Sequence, residues 1–140
     1  MSVDRVFVDT NVVLSGVIYR GNEAEVLNHA LLGHIRLVLA QAVIDEVRRV
    51  LKRRFPQDEP EFEEFLNRAD YELIRYPDIA DIHGASAMVR DPDDAPILAS
   101  ILLAKPDFAL TGDKDLLTDE VRAIAPTCRC ADYLREREEL

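Results

Sequence analysis

The stretch VFVDTNVVLSG, residues 6–16, has the pattern of a buried strand interrupted by a carboxylate. Val6, Phe7 and Val8 form an apolar run, Val12, Val13 and Leu14 resume it, and Asp9, Thr10 and Asn11 stand between. A short apolar run reads as a strand, and a small polar residue ahead of a second run reads as a helix start. The pattern predicts a strand over residues 3–8 and a helix from Asn11 towards Tyr19, with Thr10 as its cap. An acid at such a junction is either a plain helix cap or one member of a shared site. The rest of the chain decides between them.

Working outward, strands and helices alternate. Helical spacing of Val26, Leu27, Ala30 and Leu31 predicts a helix over 23–32 that stops at Gly33. A strand is expected at 35–40, a helix at 42–55 closed by Pro56, and another helix at 59–69. A strand at 71–76 leads into a loop-rich connection, 77–92, punctuated by Pro77, Gly84 and Pro92. A helix over 93–104 carries Pro96 in its first turn, where a missing N–H costs little. Strands at 107–111 and near 125–129 and a helix from about Asp132 complete the chain. Such alternation implies right-handed crossovers and a mostly parallel sheet covered on both faces, an α/β fold. Residues 1–140 read as a single domain, with no repeat or linker.

Composition narrows the function. With 48% hydrophobic residues in 140, the chain can build a real core. A formal charge of −10 argues against broad electrostatic coating of nucleic acid, while leaving room for a local basic strip or a basic protein partner. The nearly apolar stretch 95–104 is too short to span a bilayer. Asp4 and Arg5 interrupt the start where a signal peptide would be apolar, so a cytoplasmic location is expected. Cys128 and Cys130 are too few for a disulfide framework and read as small hydrophobes on opposite faces of a strand. His29, His34 and His83 show no ligand spacing and read as surface or packing residues.

In an open parallel sheet, groups at the carboxyl ends of strands line the ligand crevice. Asp9 follows the first strand, and Asp113 follows the strand at 107–111, past Gly112. Asp94 shares a helical line with Leu98 and Ile101, so it projects towards the core from the helix start; capping is its alternative role. Glu46 lies at the edge of the Val43/Val47/Val50 face, and a surface pair with Arg49 explains it equally. Arg48, Arg49, Lys52, Arg53 and Arg54 fit a phosphate-holding strip or a solvated face. Three or four converging carboxylates require cations or raised pKa values. Hard oxygen donors favour Mg²⁺ or Mn²⁺, which activate water and clamp phosphodiester oxygens.

VFVDTNVVLSGVI, IDEVRRVL, VRDPDDAPILASILLA and LTGDKDLL, in that order, strongly resemble the PIN domain. The likeness runs over essentially the whole chain and is nearest to small single-domain prokaryotic PIN proteins classed as VapC-like toxins of toxin–antitoxin pairs. The resemblance implies a three-layer α/β/α sandwich and metal-dependent endoribonuclease activity on RNA. By it, Asp9, Glu46, Asp94 and Asp113 take the family's acidic positions around Mg²⁺ or Mn²⁺, with Asp115 an alternative to Asp113 or a ligand through water. Asn11 and Thr111 resemble residues that orient those acids, and Arg49, Lys52 and Arg53 become candidates for holding RNA. A homodimer and an antitoxin protein are the partners it implies. Two other readings stand beside it. One is a non-catalytic PIN-shaped binding module. The other is an aspartyl phosphoacceptor or phosphatase centred on Asp9, weakened because Asn11 replaces the second acid and only Lys105 and Lys114 offer a lysine.

Overall fold

Val6, Phe7 and Val8 are completely buried, and their strand, β1 (Arg5–Val8), is the middle one of five. The computed structural model describes residues 3–138. After β1 come α1 (Thr10–Ile18), α2 (Asn22–Leu31), β2 (Arg36–Ala40), α3 (Gln41–Arg54), α4 (Glu59–Arg68) and β3 (Tyr71–Ile74). Then follow α5 (Ile79–Ser86), α6 (Ala95–Ala104), β4 (Phe108–Leu110), α7 (Asp119–Arg122), β5 (Thr127–Cys128) and α8 (Cys130–Glu138). Short 3₁₀ turns occupy Pro56–Asp58, Pro92–Asp94 and Lys114–Leu116.

The strand order is β3-β2-β1-β4-β5, and every pairing is parallel. Successive side chains of a strand point to opposite faces. All of Val6–Val8 and Leu37–Ala40 are buried, so helices cover both faces and the fold is the expected α/β/α sandwich. The order reverses at β1: β2 and β3 lie on one side of it, β4 and β5 on the other. That reversal opens a crevice between the carboxyl ends of β1 and β4, where ligands of open α/β sheets bind. Among the described residues no helix is long and apolar enough to cross a membrane.

Several local expectations change. Residues 77–92 are not mainly loop, because α5 runs through them. Asp78 accepts from the Asp81 N–H at 2.9 Å while Asp81 accepts from the Asp78 N–H at 3.2 Å, a reciprocal cap that starts the helix despite Pro77 and Gly84. The helix expected from 93 begins at Ala95, after the 3₁₀ turn whose Pro92 opens it. The C-terminal helix begins at Cys130 rather than Asp132, so Cys130 is a buried helical residue and only Cys128 belongs to the strand. Burial pushes both thiols up, to about 11 for Cys128 and about 12 for Cys130, which keeps them protonated and inert. Finally, Asp9, not Thr10, caps α1. The Thr10 hydroxyl is buried with no hydrogen-bond partner among the described residues.

Candidate functional site

β1 ends at Val8, and Asp9 turns the chain into α1 in an extended conformation. Its carboxylate is 5% exposed, yet both oxygens are engaged. Oδ1 accepts from the Thr10 N–H at 2.6 Å and Oδ2 from the Thr111 hydroxyl at 2.7 Å. Thr111 follows β4 and is itself buried. Its oxygen also accepts the Asp113 N–H at 3.0 Å, so one side chain ties both strand ends to both acids. The Asp9 N–H donates to the Leu110 carbonyl at 3.0 Å, which fixes the register of the two termini.

Asp94, Asp113 and Asp115 lie beside this pair. One carboxylate oxygen from each falls within 4.8 Å of the others. Asp94 ends the 3₁₀ turn ahead of α6, and Asp113 accepts from the Asp115 N–H at 2.9 Å across the turn after β4. The choice between Asp113 and Asp115 dissolves, since the structure brings both to Asp94. Glu46, half-buried on α3, is outside this trio, but its charge reaches Asp9. It lines a cleft of about 470 Å³ with Arg49, Tyr76, Asp93 and Pro96.

The crowding has an electrostatic signature. Asp9 is raised from 3.8 to about 6, first by burial and then by the charges of Asp113 and Glu46, against the lowering effect of its bonds to Thr111 and Thr10. Asp94 is raised to about 7 by burial, by a carboxyl–carboxylate contact with Asp113, and by the charges of Asp113, Asp91 and Asp115. Two neighbouring acids that retain protons near neutrality need positive charge to ionise together. Hard carboxylate oxygens at this spacing, with no Cys or His among them, fit a divalent cation of the Mg²⁺ or Mn²⁺ type.

Other expected residues fall elsewhere. Asn11 is exposed, and no hydrogen bond joins it to Asp9 among the described residues, because Thr10 and Thr111 already occupy both Asp9 oxygens. Arg49 sits on the rim of the cleft, 3.9 Å from Glu46, whereas Lys52 and Arg53 are exposed further along α3 and do not line it. Arg48 is engaged by Glu63 of α4 at 2.7 and 3.0 Å. Lys105 closes α6 at the opposite edge of the sheet from Asp9, too remote to serve a phosphoaspartate there. The sequence reading passed over Arg90, whose guanidinium lies 3.4 Å from Asp115 and is almost wholly exposed. Its position two residues before Pro92-Asp93-Asp94 was the available signal.

The family model of the PIN domain matches residues 5–115, most of the chain. No curated protein matches it. Among solved structures, VapBC2 from Rickettsia felis, bound to a DNA fragment from its promoter, is similar at a TM-score of 0.63 and 12% identity, covering 89% of this chain and 98% of the other. FitAcB from Neisseria gonorrhoeae is similar at a TM-score of 0.54 and 15% identity, covering 90% and 98%. At these identities the likeness establishes the fold.

Proposed function

The chain belongs to the PIN-domain family, and from that premise we propose that it is a Mg²⁺- or Mn²⁺-dependent endoribonuclease. The observation that carries the proposal is the meeting of Asp94, Asp113 and Asp115 beside buried Asp9, at the crevice between β1 and β4. Asp94, Asp113 and Asp115 would hold the ion together with Asp9, and Glu46 faces them from α3. When bound, the ion supplies Lewis-acid activation of water and neutralises charge on a phosphodiester. The protein's own part is positional. Thr111 holds Asp9 and the Asp113 backbone in one arrangement, and Asp9 and Asp94 surrender protons as the ion enters. Arg49 on the cleft and Arg90 beside Asp115 are placed to meet phosphates approaching an otherwise repulsive pocket. Lys52 and Arg53 extend that basic strip along α3. Asn11 is proposed to contact the ion's water rather than Asp9.

The likeness to VapBC2 and FitAcB, which are toxin–antitoxin PIN proteins, supports a toxin role with an antitoxin partner. A charge of −10 favours a partner whose contacting segment is basic. A homodimer in the cytoplasm completes the reading. Purified protein is expected to cut RNA with Mg²⁺ or Mn²⁺ and to lose that activity as Asp94→Asn. Undiminished cutting by that variant, in a preparation free of host nuclease, ends the nuclease assignment.

A further inference from the structure

Far from the acids, the chain leaves α2 through Gly33, at φ +77, in the left-handed conformation that glycine adopts without strain. The Gly33 N–H donates to the Ala30 carbonyl at 3.2 Å and the His34 N–H to the His29 carbonyl at 2.9 Å. These two bonds define a Schellman helix end, which folds the residue after the glycine back onto the last turn. An apolar pair ordinarily occupies that contact. Here two imidazoles do. His29 Nδ1 and His34 Nδ1 face each other at 2.9 Å, with ring centroids 5.2 Å apart. Behind His29, Glu25 Oε1 stands 3.8 Å from Nε2.

We propose that His29 and His34 form a second metal site, a bidentate imidazole clip for a borderline divalent transition ion such as Ni²⁺, Cu²⁺ or Zn²⁺. The bite is suitable. Two nitrogens each about 2.0–2.1 Å from an ion are roughly 2.9 Å apart at a right angle, the cis geometry of tetragonal or octahedral Ni²⁺ and Cu²⁺, and open a few tenths of an ångström for tetrahedral Zn²⁺. Without an ion, the facing nitrogens share one proton, so one ring donates from Nδ1. On binding, that ring moves its proton to Nε2, leaving both Nδ1 lone pairs for the metal and no net proton released. His29 Nε2–H then points at the Glu25 carboxylate, the arrangement by which an outer carboxylate orients a ligating histidine. The helix end adds partial negative charge, and His34 is exposed, so water completes the shell. The clip differs in kind from the acidic site. Soft enough for nickel, it has no use for Mg²⁺.

The test uses full-length protein in excess Mg²⁺, which occupies the carboxylates, titrated with Zn²⁺ and followed by imidazole ¹⁵N NMR. Both Nδ1 resonances of His29 and His34 are expected to shift together up to one equivalent, with His83 unchanged. Ni²⁺ affinity by calorimetry is expected to fall at least about tenfold in His29→Gln and in His34→Leu; the latter restores the usual apolar contact and so keeps the fold. Unaltered affinity in folded His34→Leu, or Zn²⁺ shifting only one of the two rings, overturns the proposal.

Discussion

Asp9 is a buried acid that the metal-free protein carries at a cost, so its neutral isostere should make that protein more stable. An acid whose pKa rises on folding is favoured in its protonated form, because the native state binds more protons than the unfolded one. The stability this provides is present below the unfolded pKa and lost as pH climbs through the folded value. With Asp9 moving from 3.8 to about 6, the loss at pH 8 amounts to roughly 3 kcal/mol. Asp9→Asn removes it. The asparagine oxygen still accepts from the Thr10 N–H and still caps α1. Its NH₂, however, meets a Thr111 oxygen that already accepts from Asp113, and displacing that hydroxyl proton costs about 1 kcal/mol. The net expectation is a variant about 2 kcal/mol more stable in chelator at pH 8, or roughly 6–8 °C in Tm. Thermal unfolding from pH 4 to 8 should show the two proteins converging at the acid end. Adding Mn²⁺ should stabilise the wild type and leave the variant nearly unmoved. A variant no more stable than wild type at pH 8, or one that Mn²⁺ stabilises equally, would refute the account of Asp9 as a strained metal ligand.

Three further outcomes are expected. Thr111→Val removes the hydrogen bond that lowers the Asp9 pKa, so the midpoint of Mn²⁺ binding should move to higher pH and affinity should fall about 10–100-fold, read by calorimetry across pH. Gly16→Ala places a Cβ 2.4 Å from Leu27 Cδ1 and 3.1 Å from the Glu23 carbonyl, so despite better helix propensity it should destabilise by about 1–2 kcal/mol in urea unfolding. Arg48→Ala severs an exposed pair with Glu63 and should change stability by less than about 1 kcal/mol, an effect that salt erases.

How much of this was legible in the chain follows from the range of each signal. The apolar runs specify β1, β2 and the buried faces of α3 and α6, because burial on both sides of a parallel sheet leaves no polar alternation to misread. The site's edge of the sheet is equally legible, since acids directly after two strands must share an edge when the strands run parallel. Helix α5 was hidden because Pro77, Gly84 and Pro92 outweighed the quieter Asp78–Asp81 cap, whose reciprocal bonds are a matter of geometry. The roles of Thr10 and Asn11 were misjudged for a related reason. Neighbours in sequence looked like the natural supports for Asp9, but the support comes from Thr111, 102 residues away, across the β1–β4 seam. The histidine pair was invisible for want of spacing rules, since only the left-handed Gly33 folds residue 34 back upon residue 29.

Arg5 lies on the sheet's other rim, yet it governs where Asp94 stands. Its guanidinium grips both Glu72 oxygens at 2.8 Å and the carbonyls of Ala104 and Lys105 at 3.0 and 2.8 Å, anchoring the far end of α6 to β3. Ten residues of helix make a lever about 15 Å long, with Asp94 at its free tip. A tilt of about 4° at that anchor would swing the tip by about 1 Å, a misplacement that in an enzyme can cost on the order of a hundredfold in rate. The aim of the acidic pocket is thus set from the opposite side of the molecule, by a cation that never touches it.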